Sequence, residues 1–132
     1  MFYFSLILLN FLASVLAYGT MTPEQRQRFL TFQGECMMES GTTEEMLLKA
    51  FMGEFTESSV FKDHLVCLGM KTGVIDDEGN YHKDILKEEI LSFIGDETKV
   101  DDILDTCYIH YDTPQESAFN MMKCMFKEHF GV

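Results

Sequence analysis

The sequence predicts an all-α domain, a compact bundle of six short helices. Three observations carry this. Apolar residues return every three or four positions through most of the chain, and no stretch sustains the alternation of a half-buried strand. Both prolines, Pro23 and Pro114, follow a threonine able to cap a helix start. Gly41, Gly53, Gly73 and Gly95 fall where the apolar periodicity breaks off, the usual place for a helix-ending glycine. There are no repeats or low-complexity linkers, and 132 residues fit one domain.

The chain opens on a stretch outside this bundle. Residues 1–17, MFYFSLILLNFLASVLA, carry no charge and are mostly large and apolar. Val15 and Ala17 are small enough for a signal-peptidase site, so residues 1–17 read as a secretory leader, with cleavage after Ala17 or Gly19. A spanning helix needs about 20 apolar residues, and Tyr18, Gly19 and Thr20 interrupt the run before that length. Residues 18–132 are then the mature domain, secreted and extracellular, with no stable membrane insertion.

The six helices follow in order. Thr22-Pro23-Glu24-Gln25 combines an N-cap residue, Pro at the first helical position and Gln at the third. The helix it opens shows Phe29, Phe32 and Cys36 on one side, flanked by Leu30 and Met37, and stops at Ser40-Gly41. Thr42-Thr43-Glu44-Glu45 reads as a second capping box, opening a short helix with Met46, Leu47, Ala50 and Phe51 that ends at Gly53. A third, after Ser58, carries Phe61, Leu65 and Leu68 with Cys67 beside them; Gly73 stops it and Asp76-Asp77-Glu78-Gly79-Asn80 turns the chain. The fourth, His82 to Ile94, has Ile85, Leu86, Ile90, Leu91 and Ile94 at helical spacing. The fifth starts at Thr98 with Val100, Ile103, Leu104, Cys107, Tyr108 and Tyr111. Thr113-Pro114-Gln115-Glu116 is a third box, opening a helix with Ala118, Met121, Met122, Met125 and Phe126. The tail from Lys127 to Val132 contains Phe130 and is expected to fold back.

Composition excludes several functions. A net charge of −12 repels nucleic acid and anionic membranes, and no basic cluster offsets it. Cys36, Cys67, Cys107 and Cys124 show no CxxC spacing, so they read as two disulfides rather than a zinc site, with three pairings open. The loop from Asp76 fails as a calcium site: Tyr81 and Lys87 occupy the positions where Gly and a bidentate Glu are needed. His64, His82, His110 and His129 form no recognisable catalytic pair, so neither an enzyme, a metal nor a cofactor is expected. What stands out is the abundance of Phe and Met, twelve and ten residues, with Met concentrated in the last helix. Methionine adapts its shape to varied apolar partners, and ligand cavities are mostly apolar.

Two features make a specific family resemblance. The order Cys36, Cys67, Cys107, Cys124 and the run C-L-G-M-K-T-G-V-I-D-D-E-G-N from Cys67 resemble the insect odorant-binding protein family, the pheromone and general-odorant binding proteins. The resemblance covers the whole mature chain. Counting by the family's spacing puts its second cysteine at Asp63 and its fifth at Gln115, and both are missing here. These two bond to each other in the family, so the sequence is similar to the four-cysteine "minus-C" subgroup. The resemblance implies the pairs Cys36–Cys67 and Cys107–Cys124, an internal apolar cavity, and a carrier for odorants, pheromones or fatty-acid-like molecules in aqueous lymph. Closing those two loops is worth about 3 to 4 kcal/mol each in the chain-entropy view.

Helix faces and family positions together nominate Phe29, Phe32, Phe51, Leu65, Ile75, Leu86, Ile90, Leu104, Met121, Met122, Met125 and Phe126 as pocket wall. Tyr108 and Tyr111 are candidates to orient a ligand through a hydroxyl. The expected partner is a small apolar ligand, with a membrane receptor as a further candidate and a monomer or weak homodimer as the assembly. Asp63 is expected near the start of the last helix, accepting from the Gln115 side chain or from the free N–H groups of that helix start, where the dipole favours an anion. His64 or His129, if protonated, would loosen a cavity wall or the tail. The competing function is a secreted helical cytokine-like signalling protein, which would have longer helices, a filled core and an exposed receptor face.

Overall fold

A computed structural model of the chain describes residues 19–131; the expected leader, residues 1–17, lies outside the described residues. Six helices follow: α1 Pro23–Ser40, α2 Glu44–Phe51, α3 Ser59–Thr72, α4 Lys83–Ile94, α5 Glu97–Cys107 and α6 Pro114–Phe130. Among the described residues there is no strand, only an isolated bridge between Ile75 and Tyr81. The bridge closes the turn after α3, where Asp76 accepts from the Glu78 and Asn80 N–H groups. Those bonds, with His82 Nε2 at 3.2 Å, hold the Asp76 carboxyl below its usual pKa range. Gly69 lets Ile75 fold back onto α3, since a Cβ there would lie 2.5 Å from the Ile75 side chain.

The caps refine the sequence reading. At α1 the box is complete: Gln25 N–H donates to the Thr22 hydroxyl, and Thr22 N–H donates to Gln25 Oε1. The second box is displaced, because Thr43 rather than Thr42 caps α2. Thr42 is buried instead, and its hydroxyl donates to the Val60 carbonyl at 3.3 Å. Only half of the third box forms, since Thr113 accepts from Glu116 N–H while the Glu116 carboxylate turns to Lys62. Helix α5 begins at Glu97 under an Asp96 cap and ends at Cys107, which leaves Tyr108 at the C-cap and Tyr111 in the connector. The tail does not fold back at Lys127: α6 continues through Phe130 before Gly131 adopts φ +75.

Disulfides Cys36–Cys67 and Cys107–Cys124 tie α1 to α3 and α5 to α6. The principal helix pairings are α1 with α3, α3 with α6, α6 with α5, and α5 with α4; α2 belongs to none of them. The structure is thus a chain of packed helices with a covalent tie near each end and none at the α3–α6 joint. Two apolar clusters form the core. One is Ala50, Phe61 and Phe119; the other is Ile90, Val100 and Leu104.

Asp63 and Gln115 meet at the unbridged joint as expected, with Gln115 Nε2 donating to Asp63 Oδ1 at 3.4 Å. A stronger contact lies beside it, where Lys62 Nζ donates to Glu116 Oε1 at 2.6 Å while lying 4.9 Å from the Phe119 ring centre. A polar network also occupies the α1–α3 seam. His64 is fully buried there and donates through Nε2 to Gln33 Oε1 at 2.5 Å. Ser40 donates to the Cys36 carbonyl at 2.7 Å and accepts from Thr42 N–H at 3.2 Å. Burial lowers the pKa of His64, opposed by a hydrogen bond to the Cys36 backbone, so the ring is neutral at pH 7. His64 therefore faces the α1–α3 seam.

Candidate ligand-binding site

The candidate wall of a ligand site is the set of partly exposed apolar side chains that fringe the two core clusters. Leu47, Phe55, Leu65 and Met122 pack on the first cluster but remain partly exposed. Leu86, Leu91, Ile94, Tyr108 and Met125 do the same on the second. Met122 and Met125 neighbour each other on α6 at helical spacing, so a single helix serves both clusters. Large apolar side chains that pack inward yet stay incompletely covered are what the wall of an accessible cavity presents.

The nominated residues divide by position. Leu65 and Met122 join the first cluster; Leu86, Ile90, Leu104, Tyr108 and Met125 join the second. Phe126 reaches the first through Phe55, with ring centres 5.1 Å apart and edge-on. Ile75 and Met121 are buried but belong to neither cluster. Phe29 packs edge-on against Phe93 at 5.3 Å, on the α1–α4 side. Phe32 is partly buried, with the Arg28 guanidinium 6.0 Å from its ring centre. Phe51 is 46 % exposed at the end of α2, whose inward residues are Leu47 and Ala50. Tyr111 is 49 % exposed because α5 stops before it.

Sequence reasoning passed over Phe119 and Phe55. Phe119 is 1 % exposed and meets both Phe55 and Phe61 edge-on. Its spacing from Met122 and Phe126 is helical and marks the same face. Phe55 lies in the α2–α3 connector, where no periodicity exists to find it.

Polar groups are sparse in this region. Tyr81 donates its hydroxyl to the Pro114 carbonyl at 2.8 Å, and burial, reinforced by the neighbouring Tyr108, pushes its pKa up to about 12. Burial also raises the Tyr108 pKa, so both phenols are neutral donors at pH 7. His129 on α6 has its pKa lowered by burial and by the charge of Lys99. Among the described residues, Cys36, Glu39 and Cys67 are near enough to resemble a metal ligand set, but both sulfurs are joined in a disulfide. Surface depressions beside that disulfide and beside Lys83 and Lys87 are open to solvent, and Leu104 lines the second.

A family model described as the PBP/GOBP family matches residues 19–128. The chain belongs to the PBP/GOBP family. It is similar to the B2 protein of Tenebrio molitor, 29 % identical over 114 residues, which cover 86 % of this chain and 89 % of that one. It is also similar to the B1 protein of the same beetle, 26 % identical over 120 residues, covering 91 % and 92 %. Among solved structures, a fatty acid binding protein, OBP56a, from the oral disk of the blowfly Phormia regina superposes with a TM-score of 0.62. At 23 % identity, covering 85 % of this chain and 97 % of that one, it shows the same fold. The disulfides implied by the resemblance are those in the structure. The family is one of binding proteins rather than enzymes, and no described helix is long and apolar enough to cross a membrane.

Proposed function

We propose that this chain is a secreted carrier that takes small hydrophobic molecules into the space between its two core clusters and moves them through aqueous lymph. The observation that carries the reading is the division of the core, with Leu65 and Met122 facing one cluster and Leu86, Tyr108 and Met125 the other, all partly exposed. Membership of the PBP/GOBP family supports it. The blowfly neighbour's description as a fatty acid binding protein supports fatty-acid-like ligands beside odorants and pheromones. Secretion follows from residues 1–17 acting as a leader, with cleavage after Ala17 or Gly19. The cytokine-like alternative calls for long helices around a filled core; among the described helices the longest has 18 residues.

The test is displacement of an apolar fluorescent probe from lipid-stripped protein. Uptake at micromolar probe, and its displacement by lauric acid or a volatile ester, is the expected result. No uptake at that concentration overturns the carrier reading.

A further inference from the structure

We propose that the Lys83–Tyr108 corner is a carboxylate-binding subsite, so that this chain prefers amphiphiles with an anionic carboxylate head over neutral ligands of equal length. The proposal rests on the carrier reading and specifies its ligand class. On α4, Lys83 heads a helical stripe whose later members, Leu86 and Ile90, belong to the second core cluster. On α5 the stripe of Val100 and Leu104 ends at Tyr108, which packs on the same cluster. These two ends meet, with Lys83 Nζ 5.1 Å from the centre of the Tyr108 ring. His110 stands edge-on to Tyr108 at 4.9 Å and to Tyr81 at 5.5 Å. A cation and hydrogen-bonding aromatics therefore collect where two inward apolar stripes stop.

Two groups in this corner have capacity to spare. Lys62, Lys71 and Lys87 each pair with a carboxylate, but among the described residues none lies within ion-pair reach of Lys83. Helix stability does not explain Lys83 either, since the first residue of a helix is where the dipole disfavours a cation. The Tyr108 hydroxyl likewise has no hydrogen-bond partner among the described residues, whereas that of Tyr81 is committed to Pro114. An ammonium and a phenol O–H offer two donors to the two oxygens of a carboxylate. A methyl ester accepts from the phenol and gains little from the ammonium. Lys83 itself lines an open depression together with Asp84, Asp101 and Asp105, where Lys87 binds Asp101 at 2.8 Å. That surrounding acid and the exposure of Lys83 keep the gain modest.

The experiment measures lauric acid against methyl laurate at neutral pH on lipid-stripped protein, as the wild type and as Lys83→Met, Lys83→Arg, Tyr108→Phe and Lys87→Met. The wild type is expected to bind the acid about fivefold more tightly than the ester, the scale of one partly exposed charged contact. Lys83→Met brings the ratio to near one, Tyr108→Phe lowers it, and Lys83→Arg and Lys87→Met keep it. A change in fold or cavity volume moves both affinities together and leaves the ratio alone. Equal binding of acid and ester by the wild type, or a ratio that Lys83→Met leaves unchanged, overturns the subsite while the carrier reading stands. Binding of neither overturns both.

Discussion

Restoring a covalent tie at the α3–α6 joint tests how this domain manages without one. The perturbation is Asp63→Cys with Gln115→Cys, at two positions whose side chains already touch at 3.4 Å. They are 52 residues apart, and neither existing disulfide offers a shorter path between them. Chain-entropy reasoning gives about 4 kcal/mol for a loop of that size. The bond removed is long and exposed and contributes little, and adjustment of the native geometry brings the net gain to about 2 to 3 kcal/mol. For a domain of this length that raises Tm by about 10 °C. Thermal unfolding without reductant, against Asp63→Ser with Gln115→Ser, measures the gain, and thiol titration with intact mass reports whether the bridge has formed. Thiols that stay free under a mild oxidant would refute the placement of the two residues. A bridge that forms and leaves Tm unchanged would refute the entropic argument.

Three further outcomes follow from the same joint and core. A double-mutant cycle of Lys62→Met and Glu116→Gln should show a coupling of about 1 kcal/mol, because the Lys62 side chain is only 17 % exposed and the contact is 2.6 Å; coupling below about 0.2 kcal/mol in low-salt chemical denaturation removes the pair from the account. His64 has a lowered pKa in the fold, so the unfolded chain takes up its proton first, and stability should fall as pH drops below about 6.5 toward the lowered folded pKa. Denaturation midpoints from pH 7.5 to 5 should show less of this slope in His64→Gln, and an identical slope would assign it elsewhere, His129 first. Met125→Trp should fill the space between the clusters and cut probe uptake at least tenfold while leaving helix content unchanged by circular dichroism; undiminished uptake would place the ligand elsewhere.

The helices were legible because their ends carry their own chemistry. Thr22 and Thr113 cap as read, and Gly41, Gly73 and Gly95 take the left-handed φ expected of them. The readings that shifted involve competition between local and distant partners. Thr42 satisfies a helix-start pattern, but the Val60 carbonyl, 18 positions away, claims its hydroxyl. Glu116 satisfies a capping box, but a lysine 54 positions away claims its carboxylate. Neither rival is visible in a local window. The same limit governs the site: Leu86, Ile90 and Leu104 declare their face by spacing, whereas Phe55 sits in a connector and Phe51 lies on a short helix with apolar residues on two faces. Family spacing supplied what periodicity did not, the pairing of four cysteines and the meeting of Asp63 with Gln115.

The position of the disulfides and the position of the incompletely covered side chains belong to one design. Each bridge lies within a helix pair, α1 with α3 and α5 with α6, so the principal contact between the bonded pairs is that of α3 with α6. Leu65 comes from one side of that joint and Met122 and Met125 from the other. The joint is held by Lys62–Glu116 and Asp63–Gln115, contacts that open and reclose far faster than a disulfide. A cavity built there gains an exit, because separating α3 from α6 breaks no covalent bond. On the proposed carrier reading, a ligand seated between the clusters would touch both halves and supply cohesion that the missing bridge would have given, linking occupancy to stability. Restoring the bridge should therefore slow ligand release more than it changes equilibrium affinity. Stopped-flow displacement compared with equilibrium titration separates the two, and a release rate unchanged in the bridged variant would place the exit at another edge of the bundle.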